Sequence, residues 1–228
     1  MKNQKLKNAL TRAYVCVSIL SFVVILLIPA TREWFKGLSG SHPYIMGFIK
    51  FALLATAGEL IAAFIKTGKI TVPCKIVWRF VIWGIIGVWI TFMMTVYKYA
   101  SGHMMADGKL PGVGITPLFA LFTSVLMNTS FGPTFMAVHK ISDKMLEMSA
   151  NKEKLSIKGA VLGVDWSNFV SFTILKTVPF FWIPAHFVTF LLPSEYQVIM
   201  AAALSIALGV ILSIGGRKKQ ETTKKEEN

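Results

Sequence analysis

The stretch from Asp165 to Ser213 constrains this chain most. It holds two apolar runs joined at Pro193-Ser194-Glu195-Tyr196. Each run is long enough to cross a bilayer, which takes about 20 residues. The whole chain has 228 residues, 54% of them hydrophobic and 15% charged. Such a composition is that of a polytopic membrane protein, not of a soluble domain with a large core. The first run carries groups that lipid does not favour: Asn168, Lys176, Pro179, Pro184 and His186. The second carries Ala201, Ser205, Gly209 and Ser213 at every fourth position, a spacing that lines one helix face for close packing.

The rest of the chain repeats the pattern. Apolar runs at 13–30, 44–65, 76–97, 115–138, 166–192 and 196–214 predict an all-α bundle of six membrane spans. These form one domain, 1–214, followed by a disordered basic tail, 215–228. The segment 31–43, with Gly37, Gly40 and Pro43, reads as a polar loop, and 98–114 as a Gly-rich loop. The longest connection, 139–164, reads in part as an amphipathic surface helix. Gly84 and Gly87 suit close helix packing in the third span. A basic start before an apolar run also describes a signal peptide, but Ile28-Pro29-Ala30 is a poor cleavage site, so an uncleaved first span is expected.

The formal charge of +13 raises the question of nucleic acid. The basic residues stand at span ends rather than in one patch, so orientation in the membrane is the simpler reading and no nucleic acid is expected. With the N-terminus inside, the outer loops hold only Arg32, Lys36, Lys98 and Lys109. That asymmetry predicts cytoplasmic N- and C-termini. Expected partners are the bilayer and anionic lipid at the basic cytoplasmic loops, with a homo-oligomer left open. Cys16 and Cys74 form no metal spacing and no disulfide framework, and free thiols are expected.

Polar residues inside the spans are the candidate functional residues. An ionisable side chain there costs about 2.5 to 3.5 kcal/mol on insertion scales and is normally turned to a protein interior or a wet cavity. Lys176 lies about 15 Å into the fifth span at roughly 1.5 Å per residue. It either lines a cavity, pairs with a carboxylate, or bonds backbone carbonyls freed near Pro179. Glu59 is the one acidic residue well inside a span, and Lys176 and Arg79 are its candidate partners. A Glu59–Lys176 pair is expected, with Arg79 snorkelling to the inner interface. Lys50 lies about 9 Å from Tyr44 and either snorkels or faces the interior. Asn128 and His186 complete the polar set, and Pro133, Pro179 and Pro184 mark helix breaks. Trp34, Trp166 and Tyr196 read as interfacial anchors.

Catalytic patterns are absent from the sequence: no H-E-x-x-H, G-x-S-x-G, C-x-x-C or phosphate-binding loop. His103 with Asp107 and His139 with Asp143 have metal-ligand spacing, yet the charge pattern puts them on opposite sides of the membrane. No enzyme activity, cofactor or metal is expected.

The fifth and sixth spans resemble the C-terminal signature of the Mpv-type family of peroxisomal membrane proteins. Trp182 and Pro184 stand near its Trp-Pro, Thr189-Phe190 near its Asn-Phe, Pro193 at its second proline and Tyr196-Gln197 near its Tyr-Arg. Ala57-Gly58-Glu59 is similar to its Gly-Asp, and Phe131-Gly132-Pro133 to its Phe-Ala-Pro. The chain departs from the pattern at Ala63, where Gln is usual, at Asn128-Thr129, where Asp-Gln is, and at Gly87-Val88, where Gly-Pro is. Lys176, Glu59, Asn128 and His186 inside spans, with the three proline breaks, point first to a channel-like or small-solute permeation protein of unsettled solute, and the resemblance implies a bacterial-type relative in the cytoplasmic membrane with such a function. Alongside that reading stands a non-conducting protein whose polar residues serve helix association and partner or lipid binding.

Overall fold

A computed structural model describes residues 2–226, with side chains described for 5–211 and 213. Among these residues every regular element is helical. Five helical stretches are long and apolar enough to cross a membrane: Lys5–Leu27, Pro43–Thr67, Ile76–Ala106, Trp166–Leu191 and Ser194–Ile211. This is a multi-pass integral membrane protein. The segment expected as the fourth span, 115–138, is not one of the five. It is divided into α5 (Thr116–Leu126), a π-helical turn (Met127–Phe131) and the start of α6 (Gly132–Ala150). Thr123, Ser124, Asn128, Thr129 and Ser130 dilute its apolar character.

The chain forms two compact units. The first comprises residues 1–88 and 198–228, the second 89–197. In the first unit α1 (Lys2–Leu27) and α2 (Pro29–Ser41) pack with α3 (Pro43–Thr67). The segment 31–43, expected as a loop, therefore lies almost wholly in a helix. Pro29 starts it without needing an N–H partner, and Phe35 and Ser39, one turn apart, turn to the interior. The ring of Phe35 meets that of Phe22 edge-on at 6.3 Å. From α1 the Tyr14 hydroxyl donates to the Leu53 carbonyl of α3 at 3.1 Å.

Helix α3 is the centre of this unit, with buried residues along its length from Met46 to Leu60. It ends at Gly68, whose φ of 66° is left-handed. Helix α4 (Ile76–Ala106) begins in this unit and continues into the second. A Cβ on Gly87 would run into the Gly47 carbonyl and Phe51, and one on Gly84 into the Phe48 ring. The two glycines therefore set a close α3–α4 approach, as their positions in the sequence suggest. The last helix, α10 (Ser194–Glu226), meets α3 through small residues too. A Cβ on Gly58 would lie 3.0 Å from Ile206, and one on Gly209 3.5 Å from Ala62. Gly209 belongs to the small-residue face read from the sequence. The helix runs on through most of 215–228, where a disordered tail is expected; residues 227 and 228 lie outside the described residues.

In the second unit α4 continues to Ala106, so the connection expected from Lys98 is shorter. Glycines at 108, 112 and 114 then turn the chain with φ of 72°, 84° and 81°. Helix α6 extends to Ala150, and α7 (Ile157–Leu162) is capped by Ser156, whose hydroxyl accepts from the Gly159 N–H at 3.2 Å. The fifth expected span is one continuous helix in three parts. A turn, α8 (Trp166–Asn168), is capped by the Asp165 carboxylate, which accepts from the Asn168 N–H at 2.9 Å. A π segment of 14 residues, Phe169–Trp182, contains Pro179, and α9 (Ile183–Leu191) follows with Pro184 in its first turn. Helices α5 and α9 pack against each other, with Ala120, Thr123, Ser124 and Thr189 fully buried.

Candidate functional site

The polar residues within the spans fall into separate clusters. In the first unit Lys50 is 2% exposed. Its Nζ donates to Ser39 Oγ at 2.9 Å and lies 4.5 Å from the centre of the Phe35 ring. A cation over an aromatic face in a dry site is an attractive pairing. Lys50 thus faces the interior instead of snorkelling. Its partners come from α2, the segment expected to be a loop.

The second cluster sits between α3 and α4. Glu59 accepts from Arg79 Nη1 at 3.2 Å and from Trp83 Nε1 at 3.0 Å. Arg79 also donates from Nε to the Cys74 carbonyl at 3.0 Å. Side-chain exposures of 11% for Arg79 and 19% for Glu59 mark a pair largely removed from solvent. Two expectations are corrected here: Glu59 is held by Arg79, and Arg79 does not snorkel. Residues 59, 79 and 83 meet because 79 and 83 stand one turn apart on α4, on the face that the glycines press against α3.

The third cluster belongs to the second unit. Asn128 Nδ2 donates to the Ser124 carbonyl at 2.8 Å, and its Oδ1 lies 3.0 Å from His186 Nδ1. Since an amide oxygen only accepts, the Nδ1 of His186 carries the proton. Ser124 Oγ donates to the Ile183 carbonyl at 2.7 Å, directly before Pro184. The His186 ring stacks on Trp182 at 5.4 Å and lies 6.4 Å from Phe190. This neutral chain of groups joins α5 and the first π turn to α9. Both π segments adjoin it, and such segments recur at functional sites. Pro133 follows the first, in the opening turn of α6, and Pro179 lies within the second.

Lys176 stands apart. It lies in the long π segment and is exposed, with Leu175, Pro179 and Phe180 exposed beside it. Among the described residues no polar group contacts it. Glu59, its expected partner, accepts from Arg79 and Trp83 instead. Of the residues that carry the family resemblance, Gly58 packs on Ile206, while Trp182 and Phe190 flank His186. The Pro193 carbonyl accepts from the Tyr196 N–H at 3.0 Å in the turn before α10. No family model, curated protein or solved structure matches this chain.

His139 and Asp143 form an i,i+4 pair at 3.6 Å on α6. Cys16 and Cys74 are free thiols. Sequence reasoning missed the roles of Ser39, Phe35, Trp83 and Ser124. Ser39 and Phe35 carried a usable signal in their one-turn spacing behind Pro29. Trp83 carried another, one turn after Arg79.

Proposed function

We propose that this chain is an integral membrane protein that holds another membrane protein beside it, rather than a path for solute. The reading rests on one contrast. Lys50, Glu59, Asn128 and His186 each have a side-chain partner in their own unit, whereas Lys176 is exposed on a helix long and apolar enough to cross a membrane. A lysine in that position lowers the insertion cost of about 2.5 to 3.5 kcal/mol by meeting a counter-charge within the bilayer. The fitting partner is a membrane helix with a carboxylate in its span. A second copy of this chain fits less well, because its in-span acid, Glu59, already accepts from Arg79.

In this reading the chain crosses the membrane six times with both termini in a bacterial cytoplasm, 115–138 supplying the sixth span. The Mpv-type resemblance is a further part of the proposal and implies no partner. The outer loops' shortage of basic residues supports the orientation.

Photo-reactive residues at Leu175 and Phe180, activated in native membranes, test the reading. A crosslinked protein with a carboxylate in its span is expected. The crosslink should persist in Lys176→Arg and vanish in Lys176→Leu. Crosslinks to lipid alone would overturn the proposal. So would liposomes containing the purified chain that release small solutes faster than empty ones, with the rate falling on Asn128→Leu. That result would make the chain a permeation protein.

A further inference from the structure

The first unit has a cleft of about 370 Å³ between α1, α3 and α4. Its walls are Leu10 and Tyr14 of α1, Leu60 of α3, Ile76 and Phe80 of α4, and Val72 of the connecting turn. Three hydroxyls line it, those of Thr11, Tyr14 and Thr56, and the Thr56 Oγ1 is buried. Tyr14 donates to the Leu53 carbonyl at 3.1 Å and Thr11 to the Lys7 carbonyl at 2.9 Å. What remains is an apolar wall. Its rim, with Leu10 61% and Val77 71% exposed, opens on helices that span the membrane. A water-soluble ligand would need convergent polar groups to orient it. An acyl chain needs none.

The mouth of the cleft carries charge of one sign. Lys69 and Lys75 flank Val72 in the turn between α3 and α4, Lys66 closes α3, and Lys7 precedes Leu10 by one turn. All four are exposed. Apart from Glu59, which accepts from Arg79, there is no Asp or Glu from residue 34 to 106, and none from 1 to 32. The turn has a defined shape. The Thr67 hydroxyl donates to the Lys69 carbonyl at 2.9 Å, and Lys75 itself takes a left-handed φ of 55°. Such a φ is uncommon outside glycine. The lysines are therefore presented from a shaped turn rather than from a loose tail.

We propose that this unit binds one anionic phospholipid, with an acyl chain in the α1–α3–α4 cleft and the phosphate at Lys69 and Lys75. Charge at the mouth and an apolar wall behind it match the two ends of that molecule. Neither alone would select it. The proposal is independent of the partner assigned to Lys176, since it concerns the other unit.

Native mass spectrometry of the full chain, released from bilayers of equal phosphatidylglycerol and phosphatidylcholine, tests it. One phosphatidylglycerol per chain should be retained, favoured roughly thirtyfold over phosphatidylcholine for two lysines at the surface. Lys69→Ser with Lys75→Ser should bring the two lipids close to parity. Val77→Trp, which fills the cleft, should reduce retention of both. Should that variant fail to fold, a fluorophore on Val77→Cys in a Cys16→Ser, Cys74→Ser background replaces it. It should be quenched by brominated phosphatidylglycerol more than by brominated phosphatidylcholine. Equal retention of the two lipids by the unmodified chain would overturn the proposal. Retention untouched by Val77→Trp, equal quenching by the two brominated lipids, or a lipid-free dimer would do so too.

Discussion

The two units fasten their helices by different means. In the first, α3 and α4 touch backbone to backbone at Gly47 and Gly87, and a charged pair, Glu59 and Arg79, lies along the same seam. In the second, α5 and α9 are joined by neutral groups, from Ser124 through Asn128 to His186. The difference teaches where charge can be placed. Arg79 stands one turn into α4, near a helix end, whereas His186 and Asn128 lie within their segments and pair without any net charge. A buried ion pair is costly to break from one side, because the partner is left as an uncompensated charge. A neutral hydrogen bond in a membrane contributes far less.

That contrast orders the expected effects. Glu59→Gln, which leaves Arg79 without its carboxylate, should cost about 3 kcal/mol, at the low end for buried pairs because both side chains keep some exposure. Unfolding in detergent with rising dodecyl sulfate would measure it. The double variant Glu59→Gln, Arg79→Met should recover most of the loss. Equal and additive effects would show that the pair contributes no coupling. Next in size is Gly87→Ala. Its methyl group would meet the Gly47 carbonyl, and overpacking of this kind costs about 1 to 3 kcal/mol. If Gly87→Ala were as stable as the parent, the backbone contact at the α3–α4 seam would not exist.

The second unit should answer more weakly. Asn128→Leu and His186→Leu should each destabilise the chain, with a coupling of about 0.6 kcal/mol and no more than about 1.7 between them. The same unfolding assay gives this value from the double-variant cycle. A coupling as large as that of Glu59 with Arg79 would erase the distinction between the units. Smallest of all is Lys176→Leu. As an exposed residue without internal partners it should change the stability of the isolated chain by less than about 0.5 kcal/mol. A large loss would place Lys176 in an internal contact and remove the basis for a partner.

The fold was legible where one physical rule dominated. Apolar length alone located five spanning helices, and the glycines at 84 and 87 announced a close approach. Pro133 and Pro179 announced interruptions, although not that these would be π-helical. The segment 31–43 misled because Gly37 and Gly40 lower helix propensity, while tertiary packing of Phe35 and Ser39 overrode it. The choice between Lys176 and Arg79 as the partner of Glu59 was beyond depth arguments. Both stood within reach along the membrane normal, and only the rotation of each helix about its axis decides which side chain arrives. That rotation depends on glycine contacts distant in sequence, such as Gly47 with Gly87.

The long π segment sets the phase between the two ends of its helix. In Phe169–Trp182 each ring closes over one residue more than in an α-helix, as the Ile183 N–H shows by reaching the Val178 carbonyl. The helix therefore behaves as a ratchet with an extra tooth. Deleting a single residue between Phe169 and Val178, with the remaining rings kept at their wide spacing, would turn everything beyond it by roughly a quarter of a turn. His186 would swing away from Asn128 while its own sequence stayed intact. Such a deletion should abolish the Asn128–His186 coupling as completely as replacing either residue. The length of this segment, as much as the identity of its side chains, is what brings the histidine to its partner.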